Sequence, residues 1–435
     1  MKNIAIISFL WEKNLPILLA YLQRPPDNRP RTVIIMQCYA TPKTLFQLEA
    51  AGANVLILEH MLGAEDARAL LQTHQQLLTQ LNQAFEAHTW ATYCHKIGVP
   101  AHISQALSAS LPNQLEQSLM LVTALNKLKL THAVELIVLS EDVMYFSRTG
   151  ILWGRQNGVA SLQILHSPAI GLPLAGHNQI FADHMAVYGQ QSADAYTHYP
   201  RERVHILGNH CWDLYRALRR QKTQIQTELR REYELNPAWP IVLFGTTAPA
   251  KLSAFHEQDV HPVTLDMVLQ ATQMLIQNNH PLNLVIKERP SNIAEENKHK
   301  LCQSMAADYG FEQQHLTYTQ SDIERWITAA DVLIACESSL AVEAMHVSTP
   351  TINLATELGM VRGSTFHAED GIINAYHYDP KELAEKIVLL TTDKMCRAQH
   401  IKKMENHATF YNVTAFSGDA AANTATLMKK IRRKV

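Results

Sequence analysis

At 435 residues the chain is longer than one hydrophobic core ordinarily organises, and two or three α/β units are expected. An apolar fraction of 47% and a charged fraction of 18% exclude a disordered chain. Thirty-eight basic residues against 40 acidic ones leave a net charge of −2. No nucleic-acid partner is expected, because such binding draws on a basic surface.

In chain order, Asn3 to Phe9 reads as a buried strand. The run from Met1 to Leu10 lacks a full signal-peptide core and a small-residue cleavage site. A strand from Thr32, a helix from Thr41 to Ala51 closed by Gly52, and a strand from Asn54 to Leu58 follow. Residues from about 64 to 130 read as helical, with Leu at three- and four-residue spacing. Strands at Glu135–Leu139, Ala160–Leu165, Met185–Tyr188 and Val204–Leu207 continue the series, with a helix carrying Arg148 and Arg155 after the first of them. Apolar runs of this length between helices are the mark of parallel strands covered on both faces.

A polar helix over 213–233 leads to the proline-bracketed turn Asn236-Pro-Ala-Trp-Pro240, the best boundary in the chain. A second series begins at Ile241–Phe244 and continues with strands Leu282–Lys287, Leu316–Tyr318, Asp331–Ala335 and Thr351–Asn353, each separated from the next by a helical stretch. The fold class predicted is α/β, with two Rossmann-like domains whose parallel sheets face each other across a cleft. The predicted divisions are 1–210, an interdomain helix and linker at 211–240, 241–415, and a C-terminal helix with a basic tail at 416–435.

Six scattered cysteines without a Cys-x-x-Cys pair predict reduced thiols in a cytoplasmic protein. No stretch approaches the roughly 18 apolar residues of a membrane-spanning helix. The tail Lys429-Lys-Ile-Arg-Arg-Lys434 reads either as a solvated helix end or as a peripheral contact with an anionic membrane at its inner face.

The densest chemistry lies in the second half. Asp331 to Met345 is a buried strand, a tight turn and a helix opening on hydroxyls. Ser338 or Ser339 can cap that helix and offer amides to an anion, and Glu343 lies one turn along for ribose hydroxyls. The plainer reading is a serine cap beside a solvated glutamate. Thr246 and Thr247 close one strand of the same series, and Lys287 and Arg289 lie at the end of another. Open parallel sheets bind ligands at such strand ends, where Lys or Arg would meet a diphosphate. A surface basic pair beside a proline turn is the alternative.

Three features together resemble the carboxy-terminal domain of glycosyltransferases with the two-Rossmann GT-B architecture. They are Val285-Ile-Lys-Glu-Arg-Pro290, Asp331 through Met345 with Thr349-Pro350 after it, and Asp370-Gly371-Ile372 with Asp379 to Leu383. The likeness extends to sugar-nucleotide 2-epimerases and to capsule, sialyl and polyglycerol-phosphate transferases. In the first half, Gln163-Ile-Leu-His166 resembles their "Gln-His-Gly" strand end, and Leu207-Gly-Asn-His-Cys-Trp-Asp213 their interdomain link. Arg289 stands where those families commonly place a phosphate-binding His, and Ser167 and Ser348-Thr349 replace expected glycines.

The resemblance implies a transferase that moves sugar from a UDP- or CMP-linked nucleotide-sugar to a glycan or lipid-linked acceptor of surface polysaccharide, capsule or lipopolysaccharide. No cofactor or metal is expected, since helix dipoles and basic side chains serve the departing diphosphate in many such enzymes. Glu141 and Asp142, after the strand ending at Leu139, are candidates for the base that takes the acceptor proton, with an acidic helix cap as the alternative. His166 is the third candidate, as base or as a contact to the leaving phosphate. Glu369-Asp370-Gly371 is read as a turn. A 2-epimerase-like enzyme and a non-catalytic binding or assembly protein on the same scaffold are the competing readings.

Overall fold

The computed structural model describes residues 2–23, 29–86, 92, 95–96, 101–142, 144–165, 180–197, 199–246, 251–253, 256–288, 296–310, 315–320, 322–336, 338–355, 366–376 and 379–433. The first domain is built on β1 (Asn3–Phe9), β2 (Thr32–Ile35), β3 (Asn54–Ile57), β4 (His132–Leu139), β5 (Ala160–Ile164), β6 (His184–Val187) and β7 (Val204–Ile206). They form a parallel sheet in the order β3-β2-β1-β4-β5-β6-β7. Between them run α1 (Leu15–Leu22), α2 (Pro42–Ala50), α3 (Ala64–Glu86), α4 (Ala101–Thr131), α5 (Tyr145–Gln156) and α6 (Gln190–Asp194). β1 and β4 are buried along almost their whole length, as central parallel strands must be when helices cover both faces. Strand order reverses between β1 and β4, so the loops after these two strands flank the first sheet's switch point.

The connection expected as one helix is two, α7 (Tyr215–Arg220) and α8 (Lys222–Glu232), broken at Gln221. The break serves two different anchors. Arg219 reaches Glu405, while the Lys222 ammonium donates to the Val347 carbonyl and the Thr349 hydroxyl.

The second sheet takes β8 (Ile241–Gly245), β11 (Asn283–Lys287), β12 (Leu316–Thr319), β13 (Val332–Cys336), β14 (Thr351–Ala355) and β15 (Ile373–Tyr376), in the order β12-β11-β8-β13-β14-β15, all parallel. A short antiparallel pair, β9 (Lys251–Ser253) and β10 (His256–Asp259), stands apart from it. The helices are α9 (Val260–Gln277), α10 (Glu296–Asp308), α11 (Ile323–Ala329), α12 (Leu340–His346), α13 (Pro380–Thr392), α14 (Lys394–Tyr411) and α15 (Ala420–Ile431). Here β8 is the switch strand, with β11 on one side and β13 on the other. The Glu369–Gly371 turn is present as a 3-10 turn closed by left-handed Gly371 (φ 77°), and Tyr411 donates to the buried Asp370 at 2.9 Å.

The chain crosses between the domains twice. It leaves the first domain through Asn209–Asp213 and returns after α14, and the two passages are bonded to each other. The Asn209 amide donates to Asn412 Oδ1 at 2.9 Å, and Val413 N–H donates to the Tyr188 carbonyl at 3.0 Å. Gly208 needs its left-handed backbone (φ 93°) here, and a Cβ on it would run into Thr414.

Helix α15 belongs physically to the first domain. Ala425, Leu427 and Met428 share one apolar cluster with Ile6, Leu10 and Leu18. Part of the basic tail follows it: Arg432 lies 3.6 Å from Glu135, and the Arg433 amide donates to the Glu135 carbonyl at 2.8 Å. Glu135 is fully buried, and Arg31 (2.7 Å) and Tyr21 (2.8 Å) donate to it. A buried carboxylate is tolerable only with partners of this kind. Among the described residues no helix is long and apolar enough to cross a membrane.

Candidate functional site in the interdomain cleft

The register of the second sheet brings three predicted loops together. Gly245 at the end of β8 lies opposite Lys287 on one side and Ala335 on the other. The absence of a side chain at Gly245 also lets α12 come down over the strand end, since a Cβ there would meet Leu340. Thr246, Lys287, Ser338 and Ser339 thus rim the carboxyl end of one sheet.

Thr246 and Lys287 are drawn into a buried polar cluster around Glu288, a residue the sequence reading passed over. The Thr246 hydroxyl donates to Glu288 Oε1 at 2.9 Å, Tyr318 OH donates to Oε2 at 2.7 Å, and Lys287 Nζ donates to the Glu288 carbonyl at 2.7 Å. These bonds offset the cost of desolvating the carboxylate. Burial lowers the Lys287 ammonium from its ordinary value, while Glu324 and Glu288 oppose the fall. Thr247, Arg289 and His166 lie outside the described residues.

On the other side of β8, Ser338 Oγ accepts the Leu340 amide at 3.3 Å, and Ser339 occupies the cap position without a side-chain capping bond. Ser339 Oγ turns instead to Glu343 Oε1 at 3.2 Å. Glu343 does not stand out in solvent. Its Oε2 accepts the Tyr215 hydroxyl at 2.7 Å. Desolvation pushes its carboxyl up to about 7, against the Tyr215 hydrogen bond, and the charge of Glu324 adds to the rise. Glu324 acts on Lys287 as well, so the loops after β11 and β13 share one electrostatic neighbourhood.

The first domain contributes a cation that the sequence reading did not single out. Lys13, just after β1, has its ammonium 5.1 Å from the centroid of the Trp11 ring; desolvation lowers its pKa, and Cys211 and then Glu343 of the second domain oppose the fall. Its backbone carbonyl accepts the His210 ring nitrogen Nε2 at 2.7 Å, which fixes the loop on the interdomain link. Beneath the link, the buried rings of Trp212 and Tyr215 pack on His346, with ring centroids 5.1 and 5.7 Å from it. The available signal was positional: Lys13 follows the central strand of the sheet, where open α/β sheets place ligand contacts.

Asp142 departs from the expectation that it faces the cleft as a base. Its side chain is buried, and Oδ2 accepts the Phe181 amide at 2.6 Å and the Ala182 amide at 3.4 Å, pinning the lead-in to β6. It does not cap α5 either, whose N-cap is Met144. Two backbone amides left unpaired below the surface would be costly, and the carboxylate satisfies them. Burial raises its pKa in spite of those bonds. Glu141, half-buried, stays at the loop beside the first switch point.

Among the described residues no group of three or more His, Cys, Asp or Glu side chains is placed to hold a metal. No protein-family model matches the chain, and no curated protein matches it in sequence. Solved structures do match along nearly the whole length. A glycosyltransferase from Rickettsia africae aligns at 9% identity over 99% of this chain and 98% of its own, with a TM-score of 0.53. A UDP-GlcNAc 2-epimerase from Neisseria meningitidis, bound to UDP-GlcNAc, aligns at 11% identity over 98% and 99%, with a TM-score of 0.56. The N-terminal domain of trehalose-6-phosphate phosphatase from Candida albicans aligns at 11% identity over 99% and 96%, with a TM-score of 0.53. What the chain shares with them is a fold: two Rossmann-like domains with facing parallel sheets, the GT-B architecture.

Proposed function

We propose that the chain is a glycosyltransferase that takes a sugar from a UDP- or CMP-linked donor and passes it to a glycan or lipid-linked acceptor of surface polysaccharide or lipopolysaccharide. The observation that carries this reading is the group Ser338, Ser339 and Glu343 at the carboxyl end of the second sheet, tied by Tyr215 to the interdomain helix, with Lys13 of the opposite domain within electrostatic reach of Glu343. Hydroxyls and amides at 338–340 suit phosphate oxygens. Lys13 and Lys287 supply positive charge to a departing diphosphate from the two sides. The cluster of Thr246, Lys287 and Glu288 fixes the ends of β8 and β11, and Thr247 and Arg289, the next residues in sequence, complete the proposed donor set.

For the acceptor, Glu141 is the carboxylate proposed to take the hydroxyl proton, held in place by the buried clamp at Asp142; His166 is the proposed contact to the leaving phosphate. Closure of the domains would exclude water that hydrolyses the donor. Among the described residues of the tail, Lys430 and Arg433 are exposed, and an anionic membrane surface is their proposed partner. The fold shared with a UDP-GlcNAc-bound 2-epimerase supports a second reading, an epimerase-like enzyme using the same donor site.

Thermal shift with a panel of nucleotide-sugars tests the donor site. One nucleotide class should raise the melting temperature, and Ser338→Ala with Ser339→Ala should abolish the rise; an unchanged rise removes the assignment. Product formed without an acceptor favours the epimerase reading, and no response to any compound favours a non-catalytic protein.

A further inference from the structure

A second concave site lies at the opposite end of the second sheet, where the strands begin. It is a cavity of about 390 Å³ walled by Arg230 of α8, Arg397 of α14, Trp239, Asp331 and the turn at His280–Pro281. Its size is within the range of small-molecule sites. We propose that it binds a phosphate-bearing small molecule, with the anionic group held between Arg230 and Arg397.

Two guanidinium groups share one carboxylate here, each through an Nη2 that stands off at 3.6 Å. Asp331 Oδ2 accepts the Ile241 amide at 2.9 Å and the Gln226 side-chain amide at 3.5 Å. The Nη2 groups of Arg230 and Arg397 each stand 3.6 Å from Asp331, beyond good hydrogen-bond length. Arg230 spends Nη1 on the Asn236 and Trp239 carbonyls, at 2.7 and 3.0 Å, which fixes its fork in the wall. Arg397 has a long bond to the Leu390 carbonyl, at 3.4 Å. Among the described residues, neither Nη2 has a closer acceptor.

Among the described residues, Asp331 is the single carboxylate in the cavity wall, against two guanidinium groups. Lys222 lies within electrostatic reach of both Arg397 and Asp331; burial first, and then the charge of Arg397, lower its pKa to about 8. Charged guanidinium N–H groups lining a cavity are what phosphate oxygens select. Trp239, whose ring stacks on His315 at 4.4 Å, gives the wall a rigid apolar face for the rest of the ligand. Because Arg230 belongs to the outgoing interdomain helix and Arg397 to the helix that leads back, a bound anion would link the two crossings. The site is separate from the cleft, which lies at the strands' carboxyl ends.

Calorimetric titration of the full chain carrying Ser338→Ala and Ser339→Ala, which removes the proposed cleft hydroxyl contacts, is compared with the same chain carrying Arg397→Gln as well, so that only the difference is assigned to this cavity. Pyrophosphate and UMP are the probes. At least one should bind, and adding Arg397→Gln should weaken it roughly tenfold or more, as expected for a lost charged hydrogen bond. Tighter UMP than pyrophosphate supports a nucleotide as the source, and the reverse order supports a simpler phosphate. Absence of binding by both, or affinity unchanged by Arg397→Gln, overturns the proposal. Should the variant fold poorly, a wild-type crystal soaked in pyrophosphate decides: density between the two guanidinium groups supports the site, and an empty cavity overturns it.

Discussion

The phenol of Tyr215 donates to Glu343 at 2.7 Å across 128 residues of chain. The first residue of α7 is thereby tied to the helix proposed to receive the donor phosphates. Tyr215 is fully buried, so the bond forms away from competing water. Any change in the angle between the domains must carry this pair along or break it.

Tyr215→Phe keeps the ring and deletes the donor. A half-buried carboxylate that loses a hydrogen-bond donor is destabilised by about 1–3 kcal/mol. The Glu343 pKa, already near 7, should rise further, because the lost bond favoured the charged form. Carboxyl NMR titration and thermal unfolding would read both effects. Unchanged values in both would show that the pair is not coupled in solution.

His346 predicts a pH dependence at the crossing point. Its Nδ1 donates to the Val342 carbonyl at 3.0 Å and its Nε2 accepts from Asn412 at 2.8 Å, an arrangement that fits the neutral ring. Burial lowers its pKa from 6.5 to about 4. Below pH 6.5 the unfolded chain takes up a proton that the folded ring refuses, so stability is lost as the pH falls from about 6.5 to about 4. The loss from this one residue is at most about 3 kcal/mol. His346→Gln should remove that part of the slope, leaving the contribution of His210, which is lowered to about 4 for the same reason. Denaturant unfolding of variant and wild type between about pH 7 and about pH 4.5 measures it. Parallel curves would contradict the assignment.

Asp142 and Glu141 should separate cleanly. Asp142→Ala strands the amides of Phe181 and Ala182 and should cost about 1–3 kcal/mol of stability, with Asp142→Asn milder because its amide oxygen still accepts. Glu141→Gln should leave stability and nucleotide binding unchanged while lowering kcat by roughly 100-fold or more, the usual worth of a general base. Stability unmoved by Asp142→Ala, or full turnover in Glu141→Gln, would reverse the division of labour.

The strands that carry the cleft were legible in the sequence because of what a central parallel strand requires. Ile241–Gly245, Asn283–Lys287 and Val332–Cys336 are buried at every position, and only a continuous apolar run satisfies both covered faces. The pair β9–β10 is short and largely polar, so no periodicity in the sequence marks it. The return of α15 to the first domain depends on contacts between Leu427 or Met428 and residues some 400 positions earlier, which no local pattern encodes. The side chains of the site divide along the same line. Ser338 and Ser339 are marked by a strand–turn–helix pattern. Lys13, Glu288 and Tyr215 become meaningful only when three distant loops meet, and the role of Asp142 depends on amides forty residues away.

A crystal structure of the chain with the nucleoside diphosphate that most raises its melting temperature tests the central claim most directly. The phosphates should lie within hydrogen-bond distance of Ser338 or Ser339 and the amides that follow, with the Lys13 ammonium approaching from the first domain. Phosphates bound elsewhere, with the 338–340 turn untouched, would contradict the account.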